Sequence, residues 1–353
     1  MKTYKVLVIG CGNMGASHAR AYHQLPAFEL VGLVSRGPES RERLSQELGG
    51  VPTYASAEQA LRATAPDVVS INTYPDTHVA LVRQSLLAGA HVFVEKPLAT
   101  TVAEAEELVA LARQQQRKLV VGYILRVHPT WQRFVHLAQG LGKPLVMRMN
   151  LNQQSTGQHW HTHQQLLRSA SPLVDCGVHY VDVMCAMTGA TPVSISAIGV
   201  NLSAEVDPAM YTYGQLQVRF QDGSVGWYEA GWGPMMSETA VFIKDVIGPK
   251  GAVSIIDDVQ NGSQDIEGHT HTGGLRIHHA ALDANGQFVH PDEVLPTPTE
   301  PDHDALCLLE QQFLLEAITT DLDLTEHLAG AVTSLRIVLA ADEAVRTGHT
   351  IFL

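Results

Sequence analysis

Residues 6–22, VLVIGCGNMGASHARAY, decide the fold of this chain. Four apolar residues typical of a buried strand lead into the spacing G-x-G-x-x-G and then into a stretch compatible with a helix. Gly10 would allow the tight turn, Gly12 would let the backbone approach a pyrophosphate, and Gly15 would let helix and strand pack closely. The helix N-terminus would offer N–H groups and a positive dipole to the phosphates. The stretch therefore predicts a dinucleotide-binding turn; the alternative is a glycine-rich turn without a ligand.

The same alternation of short apolar runs and helix-compatible stretches continues through the first third of the chain. Strands are predicted at residues 5–9, 29–35, 67–73, 91–94 and 119–121. Helices are predicted at residues 13–24, 40–48, 57–63, 76–88 and 102–116. This alternation is typical of βαβ units around a parallel sheet. We therefore expect an α/β protein with an N-terminal Rossmann dinucleotide-binding domain at residues 1–122.

The pattern changes after Gly122. Apolar and polar residues alternate at 216–221, and the turn-forming sequence DGS at 222–224 leads into a second strand at 225–232. Residues 257–304 are rich in Gly, Asp, His and Pro, and are expected to form hairpins and irregular loop. These features predict an antiparallel or mixed sheet with one face packed on a few helices.

We assign residues 123–353 to a substrate-binding and oligomerisation domain of α+β type with a mostly antiparallel open sheet. Its final helix is predicted at 326–346 and is expected to pack back on the first domain. The second face of the open sheet could be buried against another subunit, so we expect a homodimer or homotetramer.

Composition excludes several classes of partner. The net charge is −13, which argues against nucleic acid and anionic membranes because both require a basic surface. The four cysteines lack C-x-x-C spacing, which favours reduced thiols over a disulfide framework or a structural zinc site. No apolar run approaches the roughly 18 residues of a membrane span. A cytoplasmic protein that binds a small molecule is the expectation.

The end of the second predicted strand bears on the choice between NAD and NADP. An acid about 20 residues after the third glycine normally accepts hydrogen bonds from the ribose. Here the sequence at 34–43 is VSRGPESRER, with Ser35 and Arg36 at that place and Arg41 and Arg43 close behind. A carboxylate would repel a 2′-phosphate, whereas hydroxyl and guanidinium groups can bind one. We therefore favour NADP(H) over NAD(H); the alternative is that these arginines are ordinary solvated charges.

A Glu–Lys pair ends the fourth predicted strand, within HVFVEKPLAT at 91–100. Charge at the mouth of a buried strand is costly. Either the strand simply reaches the surface there, or a lysine is placed at the carboxyl edge of a parallel sheet, where ligands bind in open α/β folds.

A second group of polar residues lies in SPLVDCGVHYVDVMCAMTGA at 171–190, which predicts one helix closed by Gly189. Asp175, His179 and Asp182 form a stripe beside an apolar stripe that can be buried. This arrangement suits the wall of a cleft, although an Asp–His pair at i, i+4 can also merely stabilise a helix.

These motifs together resemble the Gfo/Idh/MocA (glucose–fructose oxidoreductase and inositol dehydrogenase) family. The family's glycine-rich turn, its E-K-P motif and its D-x-G-x-H-x-x-D helix correspond to residues 10–15, 95–97 and 175–182. The stretches at 67–99 and 335–353 are also similar to that family. The chain departs from the family in lacking the acid after the second strand, which affects the choice of cofactor. Residues 257–304 match nothing in the family pattern, which affects the substrate.

The resemblance implies that Lys96 lies beside the nicotinamide and the reacting carbinol, with Asp175 and His179 across the cleft. We assign His179 as the proton acceptor and donor, Lys96 as an electrostatic stabiliser or proton relay, and Asp175 as the orienting partner. Members of the family divide the proton role between lysine and histidine in different ways, so Lys96 is the alternative proton carrier. Glu95 would pair with or position Lys96, and Pro97 would fix the turn through a cis bond. Such groups fit hydride transfer, because oxidation of CH–OH also removes a proton from oxygen.

Further lining residues follow the third and the last parallel strands. Thr73, Tyr74 and Pro75 correspond to the place where the family packs backbone against the nicotinamide ribose. His78 opens the next helix, either as a structural cap or as a ligand contact. Arg126 matches a family arginine near the substrate pocket, and a structural ion pair is its alternative.

The sequence HWHTH at 159–163 raises the question of a metal. If the segment were extended, His159, His161 and His163 would share one side and could bind zinc. Because no nearby acid or cysteine completes a ligand set, we predict no metal and assign His161 and Trp160 to a sugar site. Simple packing is the alternative for Trp160. His269, His271, His278 and His279 are expected to be solvated loop residues.

The resulting hypothesis is an NAD(P)-dependent dehydrogenase or reductase acting on a sugar, inositol or related polyol. The alternatives are a nonredox enzyme that uses bound NAD transiently in glycoside cleavage and a noncatalytic dinucleotide sensor. The predicted catalytic residues are Lys96, His179 and Asp175. The predicted cofactor-binding residues are Gly10, Gly12, Asn13, Met14, Gly15, Ser35, Arg36, Thr73, Tyr74, Pro75, His78, Glu95, Lys96 and Pro97. The predicted substrate residues are Lys96, Tyr123, Arg126, Trp160, His161, Asp175 and His179.

Overall fold

The computed structural model describes residues 2–237, 243–256, 272–297 and 300–353. The chain forms two compact units, each built from two stretches of sequence. The first unit comprises Met1–Ile124 and Pro301–Val332, and the second comprises Leu125–Glu300 and Thr333–Leu353. Residues 301–332 thus join the first unit, whereas the predicted boundary at 122 assigns them to the second domain.

The core of the first unit is a parallel sheet. Its strands are β1 (Tyr4–Ile9), β2 (Phe28–Val34), β3 (Thr53–Tyr54), β4 (Val68–Ile71), β5 (His91–Glu95) and β6 (Leu119–Gly122). They lie in the order β3-β2-β1-β4-β5-β6, and every described pair is parallel. The central strands are buried on both faces, because helices cover the two sides of such a sheet. This strand order is that of the Rossmann fold, so the predicted fold of the first domain is confirmed.

Five helices connect these strands. They are α1 (Asn13–Gln24), α2 (Pro38–Glu47), α3 (Ala57–Thr64), α4 (Pro75–Leu87) and α5 (Val102–Gln114). All five lie within two residues of their predicted bounds. Ser56 and Thr101 cap α3 and α5 by accepting backbone N–H groups, which is why these two helices begin where they do.

The second unit contains a mixed, mostly antiparallel sheet, as predicted. Its described strands are β7 (Val146–Gln154), β8 (Pro192–Val200), β9 (Tyr213–Phe220), β10 (Val225–Gly233), β11 (Lys244–Gly248), β12 (Gly251–Ile256), β13 (Gly274–His279), β14 (Glu293–Pro296) and β15 (Ile351–Phe352). They lie in the order β14-β13-β12-β11-β7-β10-β9-β8-β15, and among them only β7 and β10 pair in parallel. The predicted turn at 222–224 joins β9 to β10, with Gly223 at φ +85°.

Helices cover one face of this sheet. The helices that contact its strands are α7 (Pro129–Gly140), α8 (Gly157–Leu166), α9 (Pro172–Asp175) and α10 (Gly177–Thr188), and the short helix α6 (Ile124–Val127) precedes them in the chain. The single helix predicted across 172–188 is therefore wrong, because the chain turns at Cys176 between α9 and α10. The predicted end at Gly189 is correct, since that residue has φ +64° and closes α10.

Two helices end the chain, α11 (His303–Thr319) and α12 (Thr325–Thr347). Within the first unit α11 packs on α1, and His327 at the start of α12 accepts the N–H of Val121 in β6 at 3.0 Å. The remainder of α12 belongs to the second unit. The predicted loop residues 257–271, including His269 and His271, lie outside the described residues. In the described part of the chain, no helix is long and apolar enough to cross a membrane.

Candidate functional site

The glycine-rich turn between β1 and α1 has the geometry that its spacing predicts. Gly10 has φ +96°, and a Cβ there would lie 2.3 Å from the carbonyl oxygen of Asn72. A Cβ on Gly15 would lie 1.8 Å from the carbonyl oxygen of Gly10. A Cβ on Gly12 would meet no atom within 4 Å. Gly10 and Gly15 are thus required by the protein itself, whereas Gly12 faces open space.

The N-terminus of α1 is suited to a phosphate. Gly12 is its N-cap and provides no side-chain hydrogen bond to the first-turn N–H groups. Gly12 and Asn13 are exposed, and Met14 is partly buried. Uncapped N–H groups and the helix dipole attract an anion at this point, so these residues fit the pyrophosphate of a dinucleotide.

The end of β2 has no acidic side chain. Ser35 is partly buried with its hydroxyl 3.2 Å from that of Ser40, and Arg36 is exposed. Arg41 donates from Nη1 to the carbonyl oxygens of Ser35 and Arg36, at 2.6 and 3.2 Å. The guanidinium of Arg41 is therefore held beside these two residues, and this edge carries hydroxyl and guanidinium groups.

The segment after β4 lies at the same carboxyl edge of the sheet. Thr73 bonds the hydroxyl of Thr77 at 2.6 Å, Tyr74 is the exposed N-cap of α4, and Pro75 is the first residue of that helix. Pro75 suits this position because it lacks the N–H that a helix leaves unpaired there. The segment 73–75 thus lies beside the glycine turn, with Tyr74 exposed, Thr73 partly buried and Pro75 buried.

His78 does not line this edge as a ligand contact. Its ring is completely buried, with Nδ1 and Nε2 at 2.8 and 3.0 Å from the carbonyl oxygens of Pro97 and Thr73. Burial lowers the pKa of His78, although both carbonyls favour the protonated ring. The prediction of His78 as a cofactor contact is therefore wrong; the residue joins the Thr73 segment to the turn after β5.

The E-K-P motif forms the turn at the end of β5. The Lys96–Pro97 peptide bond is cis, as predicted, and Lys96 is partly buried. Glu95 is buried, and its Oε2 accepts the backbone N–H of Lys96 at 3.2 Å. The other carboxylate oxygen, Oε1, lies 2.8 Å from Nε2 of His18. Glu95 therefore contacts Lys96 as predicted and is also anchored to helix α1.

A buried polar cluster surrounds His18. Gln311 of α11 lies with Nε2 2.9 Å from Nδ1 of His18, and Cys307 and Glu310 are buried on the same helix. His18, Cys307 and Glu310 can each offer one metal-ligand atom within 4.8 Å of the others. Both nitrogens of His18 are already hydrogen-bonded, to Glu95 and Gln311. We therefore interpret His18 as the centre of a hydrogen-bond network with Glu95 and Gln311, beside which the buried carboxyl oxygens of Glu310 have no hydrogen-bond partner among the described residues.

In the second unit, Asp175 and His179 lie on either side of the turn at Cys176. Asp175 ends α9 and is partly buried, with Oδ2 3.5 Å from the Cys176 sulfur. His179 lies in the first turn of α10 and is 5 % exposed. The backbone turn thus places a carboxylate and an imidazole close in sequence without making them one continuous helical stripe.

A second histidine belongs to this region. His163 stacks on Trp232 with ring centroids 4.6 Å apart, and its Nδ1 lies 2.9 Å from the Ser155 hydroxyl. Burial lowers the pKa of His163 to about 4, although the negative charge of Asp175 acts to raise it. The indole N–H of Trp232 donates to Gln153 at 3.0 Å, and the Cys176 sulfur lies 3.9 Å from the same amide oxygen.

The HWHTH segment is helical and not extended. In α8 the three histidines do not share a side: His159 and His161 are exposed and His163 is buried. The extended arrangement that would present three imidazoles together is therefore wrong. Trp160 is 8 % exposed, packs with Trp232, and donates its indole N–H to Glu205 at 2.9 Å. Trp160 is a packing residue, contrary to its predicted substrate contact, whereas His161 remains accessible.

Two other predicted substrate residues have structural partners. Arg126 donates to both carboxylate oxygens of Asp182, at 2.7 and 2.5 Å. This contact is the structural ion pair that the sequence predicts as the alternative to a substrate contact. Asp182 is therefore bound to Arg126. Tyr123 is 2 % exposed and its hydroxyl donates to the Ala331 carbonyl at 3.4 Å, so its predicted substrate contact has no support in the geometry of the first unit.

Sequence reasoning missed His18, Gln311, Gln153 and Trp232, and it considered His163 only as a zinc ligand. One signal was available for His18: it follows Gly15 by three residues, and so shares the helix face that packs on the sheet. For Gln311 the sequence gives no comparable signal, since its partner is 293 residues away. His278 and His279 lie on β13 with ring nitrogens 2.8 and 3.0 Å from carboxylate oxygens of Asp292 and Glu293, so they are hydrogen-bonded strand residues and not loop residues.

Comparison with known proteins extends these observations. The family model GFO_IDH_MocA, described as an oxidoreductase family with an NAD-binding Rossmann fold, matches residues 4–123. The GFO/IDH/MocA C-terminal domain matches residues 136–253. The first match lies in the first unit, and the second match lies in the second unit.

Characterised relatives and solved structures agree with this match. The scyllo-inositol 2-dehydrogenase (NAD(+)) of Bacillus subtilis is 25% identical over 98% of this chain and 95% of its own length. The UDP-N-acetylglucosamine 3-dehydrogenase of Acidithiobacillus ferrooxidans is 29% identical over 55% of this chain, and the match spans 57% of that relative. The structure of scyllo-inositol dehydrogenase from Lactobacillus casei with bound NAD(H) and scyllo-inositol has a TM-score of 0.79, 18% identity, and 99% coverage of both chains. The chain therefore belongs to the GFO/IDH/MocA family of oxidoreductases, with its NAD-binding Rossmann fold at residues 4–123.

Proposed function

We propose that this oxidoreductase transfers a hydride between a nicotinamide dinucleotide and a secondary alcohol or ketone of a sugar, inositol or related polyol. One observation carries the proposal. Lys96 lies at the same carboxyl edge of the first sheet as the accessible Gly12 turn and the backbone at 73–75. Ligands of open α/β sheets bind at this edge.

The dinucleotide, when bound, supplies the hydride acceptor or donor. Gly12, Asn13 and Met14 would hold its pyrophosphate, and the backbone at 73–75 would line its nicotinamide ribose. The chain's own residues would manage charge and proton. As the carbinol C–H bond breaks, the hydroxyl must lose its proton and become a carbonyl.

We assign that proton to His179, which accepts it during oxidation and returns it during reduction. Lys96 would stabilise the negative charge that develops on the substrate oxygen. Asp175, at the turn before α10, would orient the reacting group. The inferred role of Lys96 is supported by Glu95, which fixes the backbone of Lys96 through the 3.2 Å hydrogen bond.

The substrate class follows from the relatives. Those named above act on scyllo-inositol and on UDP-N-acetylglucosamine, and another relative is a D-glucoside 3-dehydrogenase of Escherichia coli, 26% identical over 71% of this chain and 76% of its own length. All three names describe oxidation of a ring hydroxyl. His161, accessible on α8, is our candidate for a substrate hydroxyl contact.

We further propose that NADP(H) is preferred over NAD(H). The absence of an acid after β2, together with Ser35, Arg36 and the fixed Arg41, supports this preference. The Bacillus relative, in contrast, is named for NAD(+). The ratio of kcat/KM for the two dinucleotides measures the preference directly; a value at least tenfold in favour of NAD(H) would show that our interpretation of Ser35 and Arg36 is wrong.

The reaction itself is tested by a screen of polyols, aldoses and keto-sugars with both dinucleotides. Net change in nicotinamide absorbance with substrate is expected. Product formation without net change would instead support transient use of bound NAD, as in glycoside cleavage. Dinucleotide binding with no product from any substrate would support a sensor.

We also propose a cytoplasmic homo-oligomer. All four cysteines are free thiols, which suits a reducing compartment. The open face of the second sheet carries exposed apolar residues among polar ones: Val146, Val225 and Ile247 are neighbours in register and 38 to 40 % exposed, and Ile198 on the same face is 60 % exposed. A second copy of the chain would cover these side chains, which the single chain leaves in water.

A further inference from the structure

His18 connects the dinucleotide-binding helix to the E-K-P turn. It lies on α1, one turn beyond the glycine-rich loop, and its ring is completely buried against Phe93 with centroids 4.6 Å apart. Its Nε2 is 2.8 Å from Glu95, and its Nδ1 is 2.9 Å from Gln311 of α11. We propose that His18 and Gln311 are positioning residues for Lys96, acting through the Glu95 carboxylate. The inference rests on the proposed function of Lys96.

The two oxygens of Glu95 have different partners, which fixes the carboxylate in one orientation. Oε1 bonds His18 and Oε2 accepts the N–H of Lys96. Gly122 on the neighbouring strand leaves the necessary room, since a Cβ there would lie 3.3 Å from Oε1. Loss of the His18 contact would let the Glu95 carboxylate rotate. The hydrogen bond from the Lys96 N–H to Oε2, which holds the Lys96 backbone, would then be lost as well.

Gln311 determines which nitrogen of His18 carries the proton. Its amide nitrogen donates to Nδ1, so Nε2 of a neutral ring is the N–H that faces Glu95. Gln311 is completely buried, and its side chain therefore cannot exchange this contact for water. The chain of contacts runs from α11 through α1 to the end of β5.

The charges around Glu95 are consistent with this role. Burial raises the pKa of Glu95, but the hydrogen bond from His18 and the nearby His18, Lys96 and His78 outweigh it and hold the pKa below its usual value. Burial and the charge of Glu95 raise the pKa of Glu310 well above its usual value. The hydrogen bond from His18 and the neighbouring positive charges thus favour the charged form of the Glu95 carboxyl. Among the described residues, His18, Lys96, His78 and Glu310 are the titratable groups whose charge acts on Glu95.

The test compares His18→Leu, which removes both contacts, with His18→Gln, whose amide can retain an N–H donor near Nε2. His303→Gln is the matched control, because His303 is another buried histidine of the first unit and contacts Cys307 instead of Glu95. Each protein is assayed for kcat, KM and dinucleotide affinity.

For His18→Leu we expect kcat to fall at least about tenfold, because a reacting group would be misplaced by a fraction of an ångström. The dinucleotide affinity should stay within about threefold of wild type. His18→Gln should recover most of kcat, and His303→Gln should leave kcat close to that of wild type. No recovery in His18→Gln, or an equal loss of kcat in His303→Gln, would overturn the proposal.

A second measurement does not depend on turnover. Carbon-13 NMR of labelled glutamate, with the Glu95 carboxyl signal assigned through Glu95→Gln, should give a higher titration midpoint in His18→Leu than in wild type. Gln311→Leu should shift the midpoint in the same direction and serves if His18→Leu does not fold. An unchanged midpoint in both variants contradicts the inference even if the enzyme is inactive on every substrate tried.

A metal analysis gives a further test. A stoichiometric metal in the purified protein that is lost in Cys307→Ser would also overturn the inference, since His18 would then be a metal ligand.

Discussion

Lys96 is the residue on which the proposed chemistry depends most. It stands at the end of a buried strand, and its neighbour Glu95 is held by two partners before any ligand arrives. Such preorganisation lowers the cost of stabilising charge in the transition state, because the groups need not rearrange during the reaction.

Replacing Lys96 by Met should lower kcat about a thousandfold. An ammonium about 4 Å from an alkoxide at an effective dielectric of 20 contributes about 4 kcal/mol, which corresponds to roughly three decades in rate. Dinucleotide affinity should stay within about threefold. The exposed Lys5→Met is the control, and equal kcat values for the two variants would exclude Lys96 from the chemical step. The measurement is steady-state kinetics with fluorescence titration of the dinucleotide.

His163 should make the fold sensitive to acid. Its pKa is about 4 in the folded protein and 6.5 as a free side chain, so the unfolded state binds the proton more readily. The contribution of His163 to the free energy of unfolding is therefore fully present above pH 6.5. This contribution decreases by about 3 kcal/mol as the pH falls toward 4. His163→Gln should weaken the loss of stability between these pH values in denaturant titrations. An unchanged pH dependence would contradict the assignment.

Single residues were predictable where the reason was local. The roles of Gly10 and Gly15 follow from a turn that involves only their close neighbours and one adjacent strand. The role of His78 was not predictable, because its two acceptors come from the Thr73 segment and from Pro97, 19 residues further along the chain. For Trp160 the sequence gives no sign of its partner Glu205, 45 residues away.

At the scale of elements, strand–turn–helix units were the most predictable parts. Alternating apolar runs and glycine or proline stops determine α1 to α5 within two residues of their bounds. The break at Cys176 could not be predicted, because each side of it continues a helical pattern. The HWHTH segment was misinterpreted because alternating histidines suggest an extended strand, whereas burial of Trp160 and His163 favours a helix.

The turn into α1 allows the roles of two glycines to be separated. Gly12→Ala should leave the melting temperature within about 1 °C, because a Cβ there meets nothing within 4 Å, yet it should weaken dinucleotide binding at least tenfold by filling the space of the pyrophosphate. Gly15→Ala should destabilise the protein itself, since its Cβ would lie 1.8 Å from a backbone oxygen. Differential scanning calorimetry and a binding titration measure the two effects. Unchanged affinity in Gly12→Ala would place the dinucleotide elsewhere.

At the scale of the whole molecule, the two-part organisation was predictable from the change in pattern after Gly122. Only the final helix, 326–346, was expected to pack back on the first domain; that α11 also belongs to the first unit was not predicted, because no local signal marks where a helix packs. Helices α1 and α11 pack on each other although they come from opposite ends of the chain, and it is there that His18 meets Gln311.

The open face of the second sheet should mediate self-association. Ile198→Asp combined with Val225→Asp places charges on two exposed apolar positions of that face and should reduce the assembly to smaller species, with little change in melting temperature. Light scattering after size-exclusion chromatography gives the mass. Tyr74→Asp, which also changes an exposed residue but in the first unit, is the control. A monomeric wild type would refute the proposed homo-oligomer.

Net reduction of the dinucleotide by a substrate is the most direct test of the proposed hydride transfer. Purified protein is incubated with NADP⁺ or NAD⁺ and a panel of inositols and sugars, and reduced dinucleotide and oxidised product are quantified together. We expect equal amounts of both with at least one polyol, and loss of both in Lys96→Met. Product without reduced dinucleotide, or equal turnover in wild type and Lys96→Met, would contradict the proposed reaction.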